Sequence, residues 1–159
     1  MKSIKPSYLR NVIFGAEDSL VSTVGVLFGV STALPNYETI VLTGFVVIAV
    51  EALSMGAGAY LSEIETEETL KTKNDTPVID GLLMFVSYFF AGFIPLAPYV
   101  FFEIGYARLL SVALTIFSLF ILGYIPQKSL KAAIRMAVVA SLAVLIGFLI
   151  GNISPVNAI

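Results

Sequence analysis

Apolar residues dominate this chain in five long blocks, and polar residues are confined to short breaks between them. The blocks run roughly from 8 to 33, 38 to 62, 79 to 102, 106 to 125 and 129 to 153. Each meets the requirement of about 20 mostly apolar residues for a helix that crosses a bilayer. The breaks carry turn chemistry: Leu34-Pro35-Asn36, Asn74-Asp75-Thr76-Pro77, Glu103-Ile104-Gly105 and Pro126-Gln127. Pro77 suits the first turn of its helix, where a missing N–H costs little. The pattern predicts an all-α membrane protein, a single transmembrane domain over 1–159 with five transmembrane helices. The one longer hydrophilic stretch, 63–77, reads as a short acidic extension of the second helix, with Glu67 and Lys71 as a favourable i,i+4 pair.

Composition agrees. Hydrophobic residues make up 58% of the 159 and charged residues 13%, against about 25% charged in soluble domains. The basic residues then orient the spans. Lys2, Lys5, Arg10, Lys71, Lys73, Lys128, Lys131 and Arg135 fall on one side of a five-span chain, and Arg108 falls on the other. The positive-inside rule predicts a cytoplasmic N-terminus and a C-terminus outside or in a lumen. No cleavable signal peptide is evident, because the first apolar stretch is long and carries Glu17 and Asp18. The expected location is a prokaryotic inner membrane. A net charge of −2 gives no reason to expect nucleic-acid binding, and the chain has no Cys and no His. Disulfides, thiol chemistry, Cys/His zinc sites and imidazole proton shuttles are thereby excluded. With no nucleophile–base pair in view, no enzyme activity and no resident cofactor are expected.

The remaining chemistry lies on two stripes. In the first span Asn11, Gly15, Asp18, Ser22, Gly25, Gly29 and Thr32 succeed one another at steps of four and three. In the second, Gly44, Glu51, Met55, Gly58 and Ser62 form a matching stripe at steps of seven, four, three and four. Small residues permit close helix approach, and Gly25/Gly29 and Gly147/Gly151 read as GxxxG packing pairs. Intramembrane acids are different, since each costs roughly 2.5–3.5 kcal/mol on insertion scales and faces a partner or a wet path. The structural alternative for Asp18 is a hydrogen bond near the interface to Arg10 or Asn11. For Glu51 it is a protonated acid bonded to a neighbouring helix. Glu17 lies off the stripe and reads as an interfacial charge. Met55 follows Glu51 by one turn on the same face, either as filler or as a ligand. Carboxylates with a thioether suit Fe²⁺ or Mn²⁺ better than Ca²⁺ or Mg²⁺. Glu63, Glu65, Glu67 and Glu68 read either as a solvated face or as an acidic mouth, with Glu63 and Glu67 an i,i+4 pair that could hold or concentrate cations. Pro95 and Pro98 predict a kinked end to the third span.

These segments resemble the vacuolar iron transporter family, divalent-metal/proton antiporters. Gly15-Ala-Glu-Asp18-Ser-Leu is similar to that family's G-x-x-D-G-L motif, with Ser19 where glycine is common. Ser54-Met55-Gly-Ala-Gly58-Ala-Tyr60-Leu-Ser62 matches S-M-x-x-G-x-Y-x-S, and Gly92-Phe-Ile-Pro95-Leu-Ala-Pro98-Tyr99 matches the third-span motif. Ala59 stands where many members have Glu, and the long cytoplasmic metal-binding helices of plant-type members are absent. The resemblance implies export of Fe²⁺ or Mn²⁺ against protons, a metal pathway through Asp18 and Met55, and a homodimer with the pathway at the subunit interface. Glu51 joins that set from the helical wheel. Two other classes fit the residues less closely: a proton-coupled exporter of small organic cations, which would want an aromatic cage where the aromatics are scattered toward span ends, and a non-transporting membrane scaffold.

Overall fold

A computed structural model of the chain describes residues 5–71 and 76–153. Lys2, Lys73, Asn74 and Asp75 lie outside the described residues. Among the described residues five helices form: α1 (Pro6–Ala33), α2 (Tyr37–Leu70), α3 (Pro77–Phe101), α4 (Ile104–Gln127) and α5 (Leu130–Ile153). All five are long and apolar enough to cross a membrane.

The ends follow local chemistry. Pro6 and Pro77 sit in the first turns of α1 and α3, where their fixed φ suits a helix start. Pro35 stops α1, because the residue before a proline is pushed out of the α region; Leu34 accordingly takes φ −134°. Asn36 caps α2, its Oδ1 accepting from the Thr39 N–H at 2.9 Å. Lys71 and Lys128 end α2 and α4 with left-handed φ of 51° and 45°. The acidic extension is one helix with the second span, 34 residues in all. Pro126, expected to separate two spans, lies inside the last turn of α4. So close to the helix end it removes one backbone bond without stopping the chain's winding.

α1 is the central helix and packs against all four others. Its polar contacts reveal two registers. Asn11 and Ser19 bond to Asp80 and to the Tyr88 carbonyl, each 69 residues on. α1 and α3 therefore run parallel and in step. Arg10 meets Glu63, and Ser22 meets Glu51. Both pairs have residue numbers summing to 73, so α1 and α2 run antiparallel in a fixed register. One apolar cluster gathers Leu27, Ile40, Ile48, Leu96, Tyr99 and Ala107, and a second joins Leu20, Ala91, Leu119 and Ala140. Leu42, Leu53, Phe90, Phe117 and Ile150 point outward and exposed, as side chains facing lipid do. A water-soluble protein would not leave so much apolar surface uncovered.

The polar stripe on α1 divides among three neighbours. Asn11 bonds to α3, and Gly15 packs beside Met84 and Ser87 of α3. Ser22 meets α2 and α3. Gly25 and Gly29 lie against Ala143 and Gly147 of α5. A 3.5-residue repeat drifts about 20° per heptad on a straight helix, so three heptads carry the stripe about 60° around the axis.

Candidate functional site

A polar cluster joins α1, α2 and α3 near the middle of α1 and α3. Glu51 Oε2 accepts from Ser22 Oγ at 3.0 Å and from the Tyr88 hydroxyl. Ser22 Oγ and the Tyr88 hydroxyl lie 2.6 Å apart, closing a triangle. Tyr88 is 0% exposed, and Ser19 holds its backbone carbonyl at 2.6 Å. Two hydroxyls thus replace part of the water shell that a buried carboxyl group loses. Asp18 stands one turn from Ser22 on α1, and with Ser22 it lines the same groove. Among the described residues none donates a hydrogen bond to Asp18. Arg10 and Asn11, its expected structural partners, are engaged by Glu63 and Asp80 instead.

Two cavities reach this cluster's surroundings. Asp18 and Ser22 line a groove of about 510 Å³ between α1 and α5, otherwise walled by Gly25, Gly29, Gly147 and apolar side chains. Met55 lies in a different cavity of about 740 Å³, with Arg10, Asn11, Gly58, Glu63 and Met84. The sum-73 register sets Asp18 opposite Met55, eight residues below the Arg10–Glu63 pair on each helix, or about 12 Å along the axis. Glu51 lies about 6 Å deeper again. The register thus sets four residues singled out in the sequence at successive heights along α1 and α2: Glu63 first, Asp18 and Met55 next, and Glu51 after them.

Glu63 pairs with Arg10 at 3.0 Å. Glu67 is half-buried one turn further out, and Glu65 and Glu68 are exposed. Glu17 lines a third, small cavity with Arg135 and Met136 of α5. Among the described residues no three His, Cys, Asp or Glu side chains stand close enough to hold a metal ion. Asp18 and Glu51 flank the Ser22 contact, and Met55 lines the neighbouring cavity.

Tyr88 and Asp80 were not singled out in the sequence. Tyr88 lies near the midpoint of α3, not at a span end as expected of the aromatics. A tyrosine in the middle of an apolar span needs a partner for its hydroxyl, and that was the available signal. Asp80 read as a boundary charge. It is 0% exposed, with Asn11 Nδ2 donating to its Oδ1 at 2.7 Å, at the α3 N-terminus where a carboxylate is favoured. A second methionine, Met84, faces Met55's cavity and was also overlooked.

Five helices long and apolar enough to span a bilayer, with part-buried carboxyl groups between them, define a multi-pass integral membrane protein. The profile of the VIT family matches residues 9–75 and 64–152, and the chain belongs to that family. It is similar to three vacuolar iron transporter homologs of Arabidopsis thaliana. Homolog 3 is 37% identical over 60 residues, 38% of this chain and 30% of that protein. Homolog 2 is 26% identical over 158 residues, 91% of this chain and 79% of that protein. Homolog 4 is 27% identical over 107 residues, 59% and 54% of the two chains. The chain thus spans less than a third of homolog 3 and about half of homolog 4.

Proposed function

We propose that this protein exports Fe²⁺ or Mn²⁺ from the cytoplasm in exchange for protons. The N-terminus is cytoplasmic and the C-terminus lies outside or in a lumen, so the cavity holding Met55 and Glu63 opens inward. Asp18, Glu51 and Met55 supply the ligands, and Glu63 and Glu67 draw cations to the mouth. The observation that supports this reading is the register of α1 on α2, which puts Asp18 and Met55 at one height, one turn from the Ser22–Glu51 contact. Carboxylates with a thioether match a first-row divalent ion. A metal can occupy carboxylates only when they are deprotonated, so binding releases whatever protons they hold. Exchange of metal for protons follows. The names of the Arabidopsis relatives favour iron as cargo.

A homodimer completes the site. Two carboxyl groups and one thioether are too few for an octahedral ion, and two copies supply six groups. Asp18 opens onto the groove on the outer side of α1, where a second copy could reach it.

The test is metal uptake into proteoliposomes under an imposed pH gradient, with Fe²⁺, Mn²⁺, Co²⁺ and Zn²⁺ in parallel. Gradient-dependent uptake is expected and is lost in Asp18→Asn while the protein stays folded. Full activity in Asp18→Asn sinks the site. No uptake of any metal by folded, dimeric protein returns the choice to an organic-cation exporter or a scaffold.

A further inference from the structure

The mouth of the Met55 cavity is already occupied by a positive charge belonging to the chain. Arg10 Nη2 lies 3.0 Å from Glu63 Oε1, with side-chain exposures of 66% and 21%. Both residues line the cavity that also holds Met55 and Met84. The next residue, Asn11, is buried and fastened to Asp80 at 2.7 Å. Arg10 therefore has a fixed root and a solvent-facing head. Its guanidinium bridges α1 to α2 across a gap where little else does: a Cβ placed on Gly58, in the same cavity, would meet nothing within 4 Å.

We propose that Arg10 is a specificity-determining residue, a resident cation on Glu63 that an incoming divalent ion displaces. This rests on the transport reading above. A divalent ion at the same distance gains twice the Coulomb energy of a monovalent one on that carboxylate. A free monovalent ion offers the charge of the guanidinium without its fork of N–H donors, and so does not displace it. The tethered arginine thus acts as a threshold: divalent ions exchange with it, and abundant monovalent ions do not. Exposed ion pairs are weak, so the threshold is low enough to be crossed repeatedly during turnover.

The chain has no cysteine, so one introduced thiol reports cleanly. Met84→Cys places it inside the cavity, at a position 4% exposed. In full-length protein in liposomes, a cationic, membrane-impermeant methanethiosulfonate should label this thiol about threefold faster when Arg10 is also changed to Gln, a factor scaled to a weak exposed pair. Glu63→Gln should slow labelling instead, since it leaves the Arg10 charge unpaired at the mouth and removes the carboxylate that attracts cations, and Ser62→Cys serves as a second reporter if Met84→Cys misfolds. Equal rates with and without the ion pair overturn the proposal. In transport, Arg10→Gln should lower the apparent KM for Mn²⁺ about threefold and make uptake sensitive to K⁺, with Arg10→Lys in between. An unchanged KM and unchanged K⁺ sensitivity also overturn it. If the wild type carries no metal while labelling still responds to Arg10→Gln, the transport reading fails and the latch across the mouth survives.

Discussion

The two sides of α1 use glycine for opposite ends. Toward α5, Gly25 and Gly29 interlock with Gly147 and Gly151. A Cβ on Gly151 would lie 2.6 Å from the Gly29 carbonyl oxygen, and one on Gly147 would collide with that of Gly25. Toward α2, Gly58 leaves space that no side chain fills. The first side is drawn tight by backbone-to-backbone contact at the glycines, with the groove of Asp18 and Ser22 running beside them. The second is held open and spanned by polar bridges, Arg10 to Glu63 and Ser22 to Glu51. Small residues in a membrane helix therefore have no single meaning. They bring helices together where the facing residue is also small, and they leave a void where the facing residues are long and polar.

This contrast can be broken at several points. Glu51→Gln, on the open side, should cut metal transport by tenfold or more, since a carboxylate ligand is replaced by a neutral amide; proteoliposome uptake at saturating metal measures it, and near-normal rates would remove Glu51 from the pathway. Gly147→Ala, on the closed side, should destabilise the protein by about 1–3 kcal/mol through overpacking, seen as a lower melting temperature in detergent. Tyr88→Phe deletes one hydroxyl from the Glu51 triangle and should cost about 1–2 kcal/mol, while Met55→Leu at the neighbouring level should weaken metal selectivity and leave melting unchanged. The smallest effect belongs to Gly58→Ala. With nothing within reach of the added methyl, stability should shift by no more than about 0.5 kcal/mol. A loss as large as that of Gly147→Ala would show that α2 closes on α1 after all.

The spans were legible in the sequence because length and apolarity decide membrane crossing almost alone; four helices lie within about two residues of their expected bounds, and α2 runs on eight residues past its span into the acidic extension. The acid–methionine stripe of α2 was legible for the same kind of reason, since a helix fixes which side chains share a face. What lies between helices was not. Tyr88 looked like one more aromatic in an apolar run, because its partners Ser22 and Glu51 belong to other spans. Asp80 gave no signal in the sequence, because Asn11, which donates to it, is 69 residues away. Glu63 read as a cation-gathering acid, and the arginine that meets it stands 53 residues earlier. α1's stripe, read as one face, gave no hint that its slow winding would hand successive turns to α3, α2 and α5.

The length of α2 has a mechanical side. Its 34 residues make a rod of about 51 Å, some 20 Å more than the hydrocarbon thickness it crosses. Such a rod converts angle into travel. A tilt of about 10° pivoting at Glu51 leaves the innermost carboxyl almost still, yet sweeps Glu63 through about 3 Å and Leu70 through about 5 Å. Three ångströms is the whole length of the Arg10–Glu63 contact. The lever is long enough that its fulcrum can stay closed while its far arm lets go.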